Sequence, residues 1–193
     1  VMATFAMSEA LTIILKRNDP TAAAKQVSLT ELGSIKIEKE DRKKMYKTIP
    51  RSSVIGFLIG VLPGAGATIA SFLAYGMERN LVNDDEKQKF GKGSVNGLSA
   101  PETANNAACS GSFVPMLTLG IPGSGTTAVM LGALLGFGVQ PGPRLYMTNP
   151  EIFWSIIMSM YIGMVILLIL NLPLIPYIAR ILAVPKNYLI PLI

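Results

Sequence analysis

Hydrophobic and charged positions separate into long blocks along this chain. Residues 52–77, 103–143 and 152–179 contain no Asp, Glu, Lys or Arg. About 18 or more apolar residues without charge are the usual mark of a segment that crosses a lipid bilayer. A soluble domain of this size would lack the polar surface to cover three such stretches. The pattern therefore predicts an all-α, polytopic integral membrane protein.

A break stands in the middle of the first charge-free stretch. Pro63, Gly64 and Gly66 fall close together there, and both residue types are disfavoured inside helices. Basic residues flank the stretch on both sides, as expected for cytoplasmic segments. Residues 52–78 are therefore predicted to form a re-entrant helical hairpin whose tip is residues 63–66. A single tilted span, broken in the middle, is the alternative.

The next charge-free stretch contains a matching break. Two six-residue segments align without a gap: Pro63, Gly64, Ala65, Gly66, Ala67 and Thr68 with Pro122, Gly123, Ser124, Gly125, Thr126 and Thr127. The copies stand about 59 positions apart, so the chain contains an internal repeat. Residues 109–140 are predicted to form a broken transmembrane helix pair, and the two breaks together indicate discontinuous transmembrane helices.

The other segments follow from the positions of charges and prolines. They are the end of a transmembrane helix (1–15), a basic cytoplasmic segment (16–51), a cytoplasmic loop with a polar helix (79–108), a transmembrane helix (152–172), and an interfacial segment with the start of another span (173–193). Pro101 and Glu102 are predicted to open the polar helix. Pro173 is predicted to end the transmembrane helix 152–172. Apolar runs at both ends predict an internal piece of a longer protein.

The two breaks are the candidate substrate site. Non-helical backbone at membrane depth must line a cavity or the protein interior, and paired broken helices indicate a transporter site at the bilayer midplane. Helices starting at Ala67 and Thr126 would present free N–H groups and a positive dipole end to that cavity. An anion such as a carboxylate can bind there without a buried cation. Hydroxyl donors come from Thr68, Ser124, Thr126 and Thr127.

Three polar residues beside the second stretch are further candidates. Glu102 is a candidate for proton or cation coupling, since an acid near membrane depth is a functional candidate; the alternative is a helix N-terminal charge favoured by the dipole. Asn105 and Asn106 could donate to substrate or cap neighbouring backbone. Backbone carbonyls released near Gly64 and Gly123 could hold Na⁺.

Small residues and polar groups elsewhere are given structural roles. Gly56, Gly60 and Gly64 form one smooth helix face, predicted to pack the hairpin arms together, with a dimer seam as the alternative. Cys109 is predicted to be a small packing residue, and Glu78 and Arg79 are predicted to lie at the membrane interface.

Several classes of function are excluded by composition. The chain has one cysteine and no histidine, so no metal-binding side-chain cluster, cofactor or disulfide is predicted. The net charge of +5 comes from basic residues at the ends of apolar segments, which indicates cytoplasmic loops and no nucleic-acid partner. No lysine follows either glycine cluster as in a phosphate-binding loop. An intramembrane enzyme such as a protease would need an activated nucleophile. The chain has no histidine and no pair of aspartates in its charge-free stretches, which argues against such an enzyme.

A series of ordered motifs resembles one family. The motifs are the run 56–78, Phe90-Gly91-Lys92-Gly93, Ala100-Pro101-Glu102, Asn105-Asn106-Ala107, Leu117 through Gly123, and Gln140-Pro141-Gly142-Pro143. Over about residues 45–145 the chain resembles the large membrane subunit of tripartite tricarboxylate transporters, the TctA family. Thr103 is a minor departure, because alanine is commoner there in the family.

The resemblance implies a multi-pass secondary transporter of the inverted-repeat type in the bacterial inner membrane. Its implied partners are the lipid bilayer, a small membrane subunit and a periplasmic solute-binding protein, and its substrates are tricarboxylates such as citrate and related organic acids. Symport with Na⁺ or H⁺ would drive uptake. The implied substrate positions are 63–68 and 122–127, with Glu102, Asn105 and Asn106. A channel and an intramembrane enzyme are the alternatives from other classes.

Overall fold

The computed structural model describes Met7, Ser8, Leu11 and residues 37–179. Throughout this described part the regular structure is helical, with no strands, which confirms the predicted all-α class. The chain divides into a larger unit, Lys36–Ser159, and a smaller one, Val1–Ile35 with Met160–Ile193. The predictions for residues 1–15, apart from those three residues, for 16–36 and for 180–193 lie outside the described residues.

Eight helices make up the described part of the chain. They are α1 Lys39–Val61, α2 Gly66–Leu81, α3 Asp84–Lys87, α4 Val95–Gly111, α5 Phe113–Leu119, α6 Gly125–Gly136, α7 Leu145–Thr148 and α8 Pro150–Ala179. The loop at 62–65 joins α1 to α2, and the loop at 120–124 joins α5 to α6. Both predicted breaks therefore interrupt helices.

Helix α1 is longer than the arm predicted from the apolar pattern. It begins at Lys39 and continues through Pro50 into the charge-free stretch, so no helix boundary falls at residue 51; the division there between a cytoplasmic segment and a membrane hairpin stays a prediction. The reason is a buried face that crosses this boundary. Its members recur every four residues: Thr48, Ser52, Gly56 and Gly60. Packing of this face holds the basic and apolar halves in one helix.

Helices α1 and α4 lie parallel and in very close contact. A Cβ on Gly56 would lie 2.6 Å from the Cα of Ala104, and one on Gly60 would lie 2.6 Å from the Cα of Ala108. The same offset of 48 residues relates Thr48 and Asn96, which are hydrogen-bonded. Only residues without side chains allow backbones to approach this closely.

This contact corrects the prediction made for the glycine face. Gly56 and Gly60 do pack helices together, but their partner is α4 and not the other arm of the hairpin. Gly64 lies beyond the end of α1 and has a positive φ of 79°. It therefore belongs to the break and not to a packing face.

Helix α2 runs back along the other two helices. Arg51 near the middle of α1 pairs with Glu78 near the end of α2, so the two helices are antiparallel on either side of the loop 62–65. Ala70 and Ala74 are fully buried and pack with the alanines of α4. The Ser71 hydroxyl donates to the Pro101 carbonyl at 3.2 Å. Small residues thus bring three helices into one tight bundle, and placement of its hairpin within a membrane stays a prediction.

Helix α4 begins earlier than predicted. It starts at Val95, where the Ser94 hydroxyl accepts a hydrogen bond from the Gly97 N–H at 3.0 Å. Pro101 lies inside this helix, so the prediction that Pro101 and Glu102 open it is wrong. A serine cap satisfies a first-turn N–H, and proline cannot do this. Glu102 lies well past the first turn, which removes its alternative role as an N-terminal charge.

A second cluster surrounds the later break. Met116, Leu117, Val139 and Leu145 form its buried part. Helix α5 ends at Gly120, whose φ is +70°. The Gly120 N–H donates to the Met116 carbonyl at 3.1 Å, and the following N–H donates to the Pro115 carbonyl at 3.2 Å. These two bonds close the helix end and turn the chain sharply into the break.

Helix α8 extends past the proline that was predicted to end it. It begins at Pro150, two residues before the predicted span, and continues through Pro173 to Ala179. Proline is tolerated in apolar helices of this kind, so the predicted end at 172 is wrong. Within the described residues, Pro150–Ile175 is the one helical segment long and apolar enough to cross a membrane, by length and composition; Gly125–Gly136 is a shorter apolar helix.

The short helix α3 contains a carboxylate with several partners. Glu86 is largely buried; it accepts a hydrogen bond from the Ser94 hydroxyl at 2.9 Å, and it lies 3.4 Å from both Lys44 Nζ and Lys89 Nζ. Burial raises the pKa of Glu86, but the Ser94 hydrogen bond and the two lysine charges together lower it below its ordinary value.

Stability is expected to depend on this group in acid. Because the folded-state pKa is lowered, Glu86 stabilises the fold above its unfolded-state pKa of about 4.3, and this contribution is lost as pH falls through the folded pKa. Thermal unfolding of the full-length protein from pH 7 to pH 3.5 measures it. The difference in melting temperature between the unsubstituted protein and the Glu86→Gln variant should become smaller as the pH falls. A difference that stays constant would contradict the assignment.

Candidate functional site

The two breaks lie close together in space. A Cβ on Gly123 would lie 3.3 Å from the Gly60 carbonyl oxygen and 2.9 Å from Ser112 Cβ. Gly60 belongs to the last turn of α1, directly before the first break. The second break therefore packs against the entrance to the first, and glycine at position 123 is required for that approach.

The first break exposes an uncapped helix N-terminus. The chain passes through left-handed backbone, with φ of +79° at Gly64 and +69° at Gly66. Helix α2 begins at Gly66, one residue before the predicted start at Ala67, and no side chain caps it. Pro63 and Thr68 are exposed, and nothing lies within 4 Å of a Cβ built at Gly64. The N–H groups of this first turn are available to an anion.

The second break begins a helix with a capping box. The Thr127 N–H donates to Ser124 Oγ at 3.2 Å, and the Ser124 N–H donates to Thr127 Oγ1 at 2.8 Å. Thr127 is only 1% exposed, and its hydroxyl also donates to the Ser124 carbonyl at 3.0 Å. Its hydroxyl is therefore occupied by the cap, and in this conformation it is not presented to a ligand.

Two neighbouring groups at the second break remain open. Gly125 and Thr126 are exposed, and α6 begins at Gly125, one residue before the predicted start. In the part of the chain that the structure describes, their N–H groups have no acceptor. The Thr126 side chain and these two amides are the donors that this break offers, while Pro122 is half-buried beside them.

The remaining residues of the first break have packing roles. Ala65 precedes α2 and is half-buried. Ala67 packs against the alanine core, and its carbonyl accepts from the Ser71 hydroxyl at 3.0 Å. Neither side chain carries a polar group, so both act through the backbone conformation they support.

Glu102, Asn105 and Asn106 lie together on another face. They are exposed, as is Cys109, and their spacing places them on the side of α4 opposite Ala104. None of their side-chain hydrogen bonds reaches either break; the sulfur of Cys109 lies 3.9 Å from Asn105 Oδ1. The structure thus groups these residues with one another and not with the breaks. The predicted packing role of Cys109 is wrong, because the thiol faces outward.

A buried polar group at the base of the hairpin was not found from the sequence. Glu78 is fully buried in the helix bundle, and its predicted position at the membrane interface stays a prediction. Arg51 Nη2 lies 2.7 Å from Glu78 Oε1, which also accepts from Thr48 Oγ1 at 2.8 Å and Asn96 Nδ2 at 3.1 Å. The sequence feature that could have predicted this burial is the spacing of α2, because Glu78 stands four residues after Ala74 and continues the buried face.

No side-chain cluster suited to a metal was found where the structure describes the chain. Groups of three or more His, Cys, Asp or Glu do not come together in those residues. Binding of Na⁺ by carbonyls near Gly64 and Gly123 stays a prediction.

These features define a class of protein. Two broken helices whose breaks lie close together, with open helix N-termini, are typical of membrane transporters. The chain belongs to the tripartite tricarboxylate transporter TctA family, which matches residues 1–193. The resemblance seen in the ordered motifs is therefore confirmed over the whole chain.

Two relatives from Agrobacterium vitis are similar in sequence. One, an uncharacterized 52.8 kDa protein in the TAR-I ttuC' 3' region, is 40% identical over 177 residues, which is 92% of this chain and 35% of the relative. The other, an uncharacterized protein in the TAR-II ttuC' 3' region, is 46% identical over 138 residues, 72% of this chain and 56% of the relative. The chain thus spans about a third to a half of these relatives. No solved structure matches it.

Proposed function

We propose that this chain is part of the membrane-embedded permease subunit of a binding-protein-dependent secondary transporter. It imports tricarboxylates or other organic carboxylates by ion-coupled alternating access. The observation that carries the proposal is the packing of Gly123 against the last turn of α1, which places the two breaks next to each other. Membership of the TctA family supports the same function.

Two helix N-termini suit a substrate with more than one carboxylate. The amides at the start of α2, beginning at Gly66, form one group of donors, and those of Gly125 and Thr126 form the second. Each carries the partial positive charge of a helix N-terminus. Oriented backbone dipoles can hold carboxylates without lysine or arginine, and the hydroxyls of Thr68 and Thr126 add donors. A monocarboxylate would engage only one of the two groups.

Ion coupling and partners complete the proposal. Glu102 is the acid proposed for coupling, and Asn105 and Asn106 beside it are proposed to contact substrate when the rest of the transporter covers this exposed face. The coupling ion is Na⁺ or H⁺. A small membrane subunit and a periplasmic solute-binding protein are the proposed partners in the bacterial inner membrane, and the binding protein delivers the substrate.

Substitution of Gly64 tests the proposed site. A β-branched residue at φ +79° strains the backbone by about 1–3 kcal/mol, so Gly64→Val should distort the first break. Uptake of carboxylate by cells that express the full-length transporter with its partners should fall about tenfold or more. Insertion should persist, because nothing lies within 4 Å of the added Cβ.

Gly76→Val is the matched control. Gly76 lies in α2, also has open space around a built Cβ, and does not have a positive φ. The control should retain uptake and reach the membrane in the same amount. Normal uptake by Gly64→Val at equal membrane levels would contradict the site assignment.

A further inference from the structure

Four buried side-chain oxygens have no hydrogen-bond partner within the described residues. They are Ser52 Oγ, Glu78 Oε2, Asn96 Oδ1 and Ser99 Oγ. All four residues are at least nine-tenths buried, and they come from α1, α2 and α4, at the end of the bundle distant from the breaks. A single unsatisfied buried polar atom already needs an explanation, and an ion or a water is the usual one.

The other half of the Glu78 carboxylate is saturated. Its Oε1 atom receives all three donors, from Arg51, Thr48 and Asn96, at 2.7, 2.8 and 3.1 Å. Its Oε2 atom receives none. A buried carboxylate normally distributes its hydrogen bonds over both oxygens, so the free oxygen marks the side where a partner is missing.

The orientation of Asn96 is fixed by this arrangement. Glu78 Oε1 can only accept while the carboxylate is ionised, so the amide nitrogen of Asn96 must face it, and the amide oxygen must face away. That oxygen and Glu78 Oε2 are both acceptors and cannot satisfy each other. Each of them needs a donor or a cation as its partner.

The two serines lie on the same helix faces as the residues that hold Glu78. Ser52 is one turn after Thr48 on α1, and Ser99 is about one turn after Asn96 on α4. Residues three or four apart on a helix are neighbours. Because α1 and α4 pack in parallel register, the free oxygens of both serines fall in the same layer of the bundle.

We infer that these oxygens form a binding site for a monovalent cation, Na⁺. The ligands are Glu78 Oε2, Asn96 Oδ1, Ser52 Oγ and Ser99 Oγ, an all-oxygen set of the kind that hard cations select. One carboxylate that already faces Arg51 does not provide the charge that Ca²⁺ sites use. Arg51 is 40% exposed while Glu78 is fully buried, so the guanidinium lies on the outer side of the carboxylate and leaves its inner oxygen to the cation.

The position of the site gives it a role in transport. The role in coupling rests on the proposed function, whereas the binding of Na⁺ does not. Helices α1 and α2 lead directly into the first break, so a cation that clamps both of them to α4 fixes the geometry of the hairpin. The site is separate from Glu102 and from the carbonyls near Gly64.

Removal of two ligands tests the inference. The full-length transporter is purified in nanodiscs, and binding of Na⁺ is measured with ²²Na⁺ in a choline background. Na⁺ affinity of the double variant Ser52→Ala and Ser99→Ala should fall at least about tenfold, since even second-shell losses weaken metal sites by 10- to 100-fold. Na⁺ should also raise the melting temperature of the unsubstituted protein and not that of the double variant.

Ser71→Ala is the matched control, because its hydroxyl already donates to the Ala67 and Pro101 carbonyls; its Na⁺ affinity should not change. If water fills the site, the unsubstituted protein binds no Na⁺ at this position, and the double variant has unchanged Na⁺ response; either result overturns the inference.

Carboxylate uptake is measured beside binding. Uptake without this Na⁺ site refutes the inference alone, whereas Na⁺ binding without uptake of any carboxylate refutes the proposed function.

Discussion

Alanine at position 60 is expected to separate α1 from α4 and to destabilise the protein by about 3 kcal/mol or more. The added Cβ would lie 2.6 Å from the Cα of Ala108. The neighbour is backbone, so no change of side-chain rotamer can relieve the clash. Thermal unfolding of full-length Gly60→Ala in detergent measures the effect, and carboxylate uptake should be lost with the same substitution, because the last turn of α1 also supports Gly123.

Gly132→Ala is the control for this prediction. Gly132 also lies inside a helix, α6, but nothing lies within 4 Å of a Cβ built there. Alanine is the better helix former by about 1 kcal/mol, so this variant should be as stable as the parent or slightly more stable. Equal melting temperatures for Gly60→Ala and Gly132→Ala would contradict the close packing of α1 on α4.

Loss of Arg51 is also expected to destabilise the protein. Arg51→Met removes the cation that faces the fully buried carboxylate of Glu78. Leaving a buried charge without its partner costs about 3–5 kcal/mol when both groups are buried. Because the guanidinium is 40% exposed and not buried, a smaller loss of about 2 kcal/mol is expected.

A second substitution should restore much of this stability. Glu78→Gln removes the unpaired charge, so the double variant with Arg51→Met should be more stable than Arg51→Met alone. Lys47→Met is the matched control, since Lys47 is an exposed basic residue of the same helix and should tolerate the change. Chemical unfolding of the four proteins gives the comparison. A double variant that is less stable than Arg51→Met would show that the buried charge is not the cause.

The breaks were the part of the fold that the sequence predicted best. Proline and glycine act through local backbone geometry, so their effect does not depend on distant residues. The helix starts predicted at Ala67 and Thr126 differ from the observed starts at Gly66 and Gly125 by one residue each. Helix ends are seldom defined more closely than that.

Long-range packing decided the features that the sequence did not predict. The continuity of α1 across residue 51 and the burial of Glu78 both depend on contact with α4. Segments that are 48 residues apart in the chain make that contact, and no local pattern specifies it. Charge alone placed Glu78 at a membrane interface, whereas its spacing from Ala74 continued the buried face of α2.

The two breaks were predicted from the sequence, but the role of each side chain in them was not. The sequence identified both breaks, and their contact through Gly60 and Gly123 emerged only from the fold. Hydroxyl groups at helix starts serve either caps or ligands, and composition does not separate these roles. At the second break Ser124 and Thr127 form the cap, while Thr126 remains open.

Ion-coupled import of carboxylates is tested by uptake into proteoliposomes that contain the full-length transporter with its small membrane subunit and binding protein. A panel of mono-, di- and tricarboxylates is offered with an imposed Na⁺ or H⁺ gradient. Accumulation of a di- or tricarboxylate that requires both the gradient and the binding protein is the expected result. Downhill flux that is independent of the binding protein, or no transport of any carboxylate, would contradict the account.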